Sequence, residues 1–222
     1  MLFVWLLLYG SASLLSHHFA PLTPWAVPVG LLVCAAPLVG WLLRRGTTLL
    51  GFPKLTLTQW KHHLFFLPYL LPVFYHLFYF GFQLPSVPGL LGILLAAVLE
   101  EVLFRGILPL VLCRRGDVFC AVLSSLIFAA AHLVNLERGA SPVFVLCQVL
   151  FALSAGLAFF GIVLSCGSLL PCMGIHFLIN LTAPVSPPEP KPLLWLCIAV
   201  YFACGIRSIY LVRKSHQERV FL

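Results

Sequence analysis

Eight apolar runs separated by short polar connectors leave this chain little choice of fold. They cover about 2–16, 25–43, 64–82, 89–112, 118–134, 142–164, 168–183 and 193–212. A helix that crosses a bilayer needs roughly 20 mostly apolar residues, and most of the runs come near that length. Prolines inside them, such as Pro68 and Pro72, are tolerated in membrane helices when neighbouring groups satisfy the freed carbonyls. Composition agrees: 62% of the chain is hydrophobic and 9% charged, whereas soluble domains average roughly 45–50% and about 25%. The fold class expected is all-α, a polytopic transmembrane bundle of about eight helices forming a single domain over residues 1–222.

The net charge of +7 does not indicate nucleic acid. Membrane proteins carry excess Lys and Arg in cytoplasmic loops, and no basic patch here is interleaved with stacking aromatics. Arg44, Arg45, Lys54, Lys61, Arg114, Arg115, Arg213, Lys214 and Arg219 fall in one set of alternating connections, and Arg138 and Lys191 in the other. Nine against two places both termini in the cytoplasm. The eight cysteines are scattered without a Cys-x-x-Cys pair. Most lie in apolar runs, where Cys acts as a small hydrophobe, so no disulfide framework or zinc ribbon is expected. Residues 44–60 read as an interfacial connector in which Thr58 can cap a following helix. Residues 184–192, with five prolines, read as a stiff linker.

Against this background Glu100-Glu101-Val102-Leu103-Phe104-Arg105 stands out. A charge at bilayer depth costs several kcal/mol and ordinarily faces a bundle interior or a wet cavity. Helical geometry puts Glu101 and Arg105 on one face, four residues apart, and turns Glu100 about 100° away. One carboxylate is thus tied to an arginine and the other is available for chemistry. His132, at the end of Phe128-Ala-Ala-Ala-His132, and the pair His176 and Asn180 add polar groups on two further runs. A lone membrane histidine is ordinarily a helix–helix hydrogen bond. Two of them with Glu100, at overlapping depths by the rise of 1.5 Å per residue, suggest one shared cavity, expected to open toward the cytoplasm. His17, His18, His62 and His63 read as interfacial, and His76 as a packing contact. Ser124 and Ser125 lack a Gly-x-Ser-x-Gly elbow, and no His-Glu-x-x-His is present.

The ordered set Glu-Glu-x-x-x-Arg, Phe-x-x-x-His and His-x-x-x-Asn resembles the CPBP family of intramembrane proteins. That family includes the type II CAAX prenyl endopeptidases and bacterial relatives linked to bacteriocin processing and self-immunity. The resemblance covers about residues 87–183, with Glu100, Glu101, Arg105, Phe128, His132, His176 and Asn180 all in place. It implies a multi-pass protein of the cell membrane and a peptide or protein substrate that is prenylated or otherwise membrane-associated. Membrane lipid would be the second partner, and nucleic acid none.

It also implies a glutamate-dependent endopeptidase without metal or other cofactor. Glu100 would be the general base activating water, with His132 assisting. His176 and Asn180 would stabilise the oxyanion, and Glu101 and Arg105 would brace the helix, Arg105 with the further option of meeting a substrate carboxylate. By residue type alone Glu100, His132 and His176 also make a His₂Glu zinc set. A non-proteolytic immunity or scaffolding protein of the same fold is the alternative. A transporter is a third reading, disfavoured because no repeat-paired broken helices are visible.

Overall fold

The structure, a computed structural model, describes residues 23–44, 66–112, 116–184 and 189–220. The run at 2–16 and almost all of the 44–60 connector, including Thr58, lie outside these, as do residues 185–188 of the Pro-rich linker. The described residues are helical and contain no strand. In chain order the helices are α1 Ala26–Arg44, α2 Phe66–Tyr69, α3 Leu71–Phe80, α4 Val87–Glu101, a π-helical segment Val102–Ile107, α5 Leu108–Leu112, α6 Asp117–Ala131, α7 Val134–Glu137, α8 Pro142–Cys166, α9 Leu170–Thr182 and α10 Pro192–Val220.

Four stretches are long and apolar enough to cross a membrane: Val87–Leu110, Asp117–Glu137, Pro142–Cys166 and Pro192–Tyr210. Ala26–Trp41, Leu67–Phe80 and Leu170–Thr182 are shorter apolar helices. The described residues therefore hold seven apolar helical segments rather than eight, and the first expected run is not among them. The run at 64–82 is also broken. Pro72 has no N–H to continue a helix from above, and the chain turns at Leu70 before α3 begins.

Local chemistry sets the helix ends. Ser86 accepts from the Gly89 amide ahead of α4, and Ser141 accepts from the Phe144 amide ahead of α8, each followed by a proline in the first turn. Both are N-caps of the expected kind. α8 stops at Gly167, whose left-handed backbone (φ 65°) suits glycine. α8 then packs lengthwise on α6 and α10, α1 lies on α4, and α9 packs on α4 and α3.

Small residues permit the closest approaches. A Cβ on Gly156 would stand 2.6 Å from the Ser125 Cβ, and one on Gly205 2.8 Å from the Leu157 backbone. Leu99, Val102, Leu103, Phe104 and Phe128 fill one buried cluster, and Phe159, Cys172 and Tyr201 belong to a second. The Tyr201 hydroxyl donates to the Tyr69 carbonyl at 2.6 Å, tying α10 to α2.

The π-helical segment has a local cause. Leu108 N–H reaches back five residues to the Leu103 carbonyl. In that register the next residue, Pro109, stands where an N–H would meet the Phe104 carbonyl, and proline has none. The Ser124 hydroxyl of α6 donates to the Phe104 carbonyl instead, the kind of replacement that lets membrane helices carry proline. Ser124→Ala is expected to leave that buried carbonyl unmatched, at about 1–3 kcal/mol. The variant should unfold at a lower temperature in detergent than wild type. An unchanged unfolding temperature would mean that the segment does not depend on the α6 hydroxyl.

Candidate active site

Glu100 and Glu101 close α4, immediately before the π-helical turn that carries Arg105. Glu101 is fully buried and Arg105 is 3% exposed. Arg105 Nη1 donates to Glu101 Oε1 at 3.0 Å, four residues away, as the spacing predicts. The arginine is further held by aromatic faces. Its guanidinium carbon lies 4.2 Å from the Phe128 ring centroid and 5.5 Å from that of Phe159, within cation–π range. Glu101 Oε2 and Arg105 Nη2 are buried without a hydrogen-bond partner among the described residues.

His176, on α9, joins the two glutamates. Its Nδ1 donates to Glu101 Oε1 at 2.7 Å, and its Nε2 lies 3.6 Å from Glu100 Oε2. One oxygen of Glu101 thus receives both Arg105 and His176, and this fixes which histidine nitrogen remains to face Glu100. The two carboxylates sit in different settings: Glu101 is sealed, while the Glu100 side chain keeps 16% of its surface. The role expected of Arg105 toward a substrate carboxylate does not fit its position. It is enclosed by Glu101, Phe128 and Phe159, and it lines neither cavity described below.

His132 caps the C-terminus of α6. Its Nδ1 donates to the Phe128 carbonyl at 3.0 Å, so Nε2 is left as the acceptor. The ring packs edge-on against Phe128 at 5.0 Å between centroids. Phe128 therefore touches Phe104, Arg105, His132 and His176 at once.

Glu100, His132, His176 and Asn180 line two adjoining cavities. A cavity of about 180 Å³ is lined by His132, His176, Asn180, His76 and Gln148 among aromatic walls that include Phe128 and Phe151. A wider one, about 560 Å³, is lined by Glu100, Arg138 and Asn180 against the apolar faces of α1 and α4. Asn180 and Ala183 line both. The His176–glutamate contacts pin α9 to the end of α4 where the two cavities adjoin. Both cavities sit among helix ends next to the connections at 133–141 and 183–191, which carry Arg138 and Lys191. This is the end to which the charge count assigns the fewest cations, so the expected cytoplasmic opening and the charge-derived orientation do not agree.

Several lining residues were not legible as site residues. His76, expected to be a packing contact, is near Thr182 Oγ1 (3.3 Å from Nδ1) and faces the smaller cavity. Gln148 accepts from Asn135 Nδ2 at 2.8 Å. It is an amide in an apolar run, the same signal that marked Asn180. Phe159 gave no signal, being one aromatic in a continuously apolar stretch. No three His, Cys, Asp or Glu side chains among the described residues are arranged to hold a metal ion. Of the His₂Glu set, His176 Nε2 and Glu100 Oε2 lie 3.6 Å apart, and His132 lines the smaller cavity.

The protein is a multi-pass membrane protein by its four span-length helices. No curated protein and no solved structure matches the chain. Residues 82–182, a little under half of the chain, match the family model described as Type II CAAX prenyl endopeptidase Rce1-like. That stretch runs from the residues just ahead of α4 to the end of α9 and contains the two glutamates, Arg105, His132, His176 and Asn180. By this match residues 82–182 are similar to the Rce1-like CAAX-protease family, which supports the resemblance to CPBP membrane proteins.

Proposed function

We propose that this chain is a metal-independent intramembrane glutamic endopeptidase of a cell membrane, acting on a membrane-associated, prenylated peptide. Glu100 takes a proton from a water that His132 Nε2 helps to hold, and the activated water attacks the scissile carbonyl. Asn180 Nδ2–H and, in the protonated imidazolium, His176 Nε2–H donate to the developing oxyanion. Glu100 then returns the proton to the departing amine. Glu101 and Arg105 act through His176, by fixing the orientation of its ring, and the Glu101 carboxylate favours the protonated ring. The wide cavity gives the peptide and water a path to Glu100, which hydrocarbon alone would deny.

One observation carries this reading. Of two adjacent carboxylates, one is buried against an arginine and a histidine, and the other stands beside the free nitrogen of that same histidine at a cavity wall. Carboxylates in such different settings take different roles.

The test is cleavage by purified protein of a panel of prenylated and unmodified peptides, with products identified by mass. Prenylated peptides should be cut at one bond, at a rate unchanged by chelators. Activity that a chelator removes and stoichiometric zinc restores would overturn the metal-independent mechanism. No cleavage of any peptide would overturn the protease reading.

A further inference from the structure

Arg138 follows α7, in the turn between α6 and α8, and is partly buried. In the sequence it is one of two cations, with Lys191, in its set of connections. Among the described residues that line the two cavities, it is the one Lys or Arg side chain. It shares the wider cavity with Glu100 and Asn180. Its Nη1 donates to Asn135 Oδ1 at 3.3 Å, and Asn135 Nδ2 donates to Gln148 Oε1 at 2.8 Å. A chain of neutral amides thus aims the guanidinium from behind and links it to the wall of the smaller cavity, while Arg105, the other arginine near the site, is walled in by Glu101 and two aromatic rings.

A planar guanidinium with five donors binds carboxylates in a two-pronged fashion, and charge-assisted pairs of this kind are the stronger hydrogen bonds. A cation at the wall of a cavity of about 560 Å³ is within the size range in which ligand pockets place a few orienting polar groups among apolar ones.

We propose that Arg138 anchors a carboxylate of the bound peptide in the cavity that holds Glu100, and so determines which bond is presented to the base. The inference rests on the endopeptidase reading for its substrate class. The carboxylate belongs either to the peptide's C-terminus or to an acidic side chain near the scissile bond. Arg138 is a specificity residue. It holds the substrate at a distance from the reacting bond and takes no part in proton transfer.

The test uses three prenylated, quenched-fluorescent peptides of one sequence, assayed in nonionic detergent. The first has a free C-terminal acid and an Asp beside the scissile bond, the second is its C-terminal amide, and the third has that Asp replaced by Asn. Wild type is compared with Arg138→Gln and Arg138→Lys. For wild type, removing the recognised carboxylate should raise KM about 10- to 100-fold with kcat little changed, as loss of a charged hydrogen bond does. Whether the amide or the Asn peptide shows the effect identifies its source. Arg138→Gln should cut all three peptides with the same high KM, and Arg138→Lys should keep part of the preference.

A wild type indifferent to both carboxylates would overturn the proposal. So would an Arg138→Gln variant that loses kcat/KM equally on every peptide while wild type discriminates in kcat alone, because the arginine would then serve only to balance Glu100. If wild type cleaves nothing, the protease reading has failed, and fluorescence anisotropy of the same peptides decides the anchor separately. Tighter binding of the acid that Arg138→Gln abolishes supports it, and equal binding overturns it.

Discussion

Purified Glu100→Gln is expected to hydrolyse peptide about 100- to 10,000-fold more slowly than wild type, the range that removal of a general base produces, and to unfold at the same temperature. The substitution keeps the shape of the side chain and removes its ability to take a proton. It leaves the buried pairs of Glu101 intact, with Arg105 at 3.0 Å and His176 at 2.7 Å. The contact between Glu100 and His176 Nε2, 3.6 Å, is longer than a hydrogen bond and contributes little to stability. The measurements are kcat on a cleaved peptide and a thermal melt in the same detergent. Full activity in Glu100→Gln would remove the base from the mechanism and with it the glutamic assignment.

Glu101→Gln is expected to behave in the opposite order, with a large loss of stability and a loss of activity that follows from it. Arg105 would keep its charge at 3% exposure with its carboxylate gone. Removing one partner of a buried pair typically costs about 3–5 kcal/mol, because an uncompensated charge is left behind. The Phe128 and Phe159 rings recover part of this through cation–π attraction. The amide keeps one neutral oxygen as acceptor for both Arg105 and His176, so its hold on His176 Nδ1 is weakened. The paired comparison separates the two glutamates: Glu100→Gln changes turnover at constant unfolding temperature, and Glu101→Gln lowers the unfolding temperature. Equal stability of the two variants would mean that the buried pair is not what holds the end of α4.

How much of this was legible beforehand follows from the range of each interaction. The spans could be read because hydrocarbon demands long apolar helices. Accordingly α1, the α4–α5 stretch, α6, α8, α9 and α10 begin and end within a few residues of the expected runs, α10 apart, which continues to Val220. Glu101 and Arg105 could be paired because four residues on one helix share a face. The π-helical register between them was not legible. It depends on Pro109 together with a hydroxyl on the next long helix, Ser124, 20 residues beyond the Phe104 carbonyl it serves.

His176 shows the boundary most clearly. Its run and its partnership with Asn180 on one face follow from spacing, and both do line the smaller cavity. That its Nδ1 binds Glu101, leaving one nitrogen for Glu100, depends on the rotation of α9 against α4, which no spacing within either helix specifies. The same holds for the division into two cavities and for the placement of His76, Gln148 and Arg138 on their walls. Sequence by itself determined which segments are helical and which residues share a face, because backbone periodicity is local and the apolar solvent is uniform. Only the tertiary structure decided which faces meet, because close packing between helices selects one rotation and one depth from many that the sequence pattern allows equally.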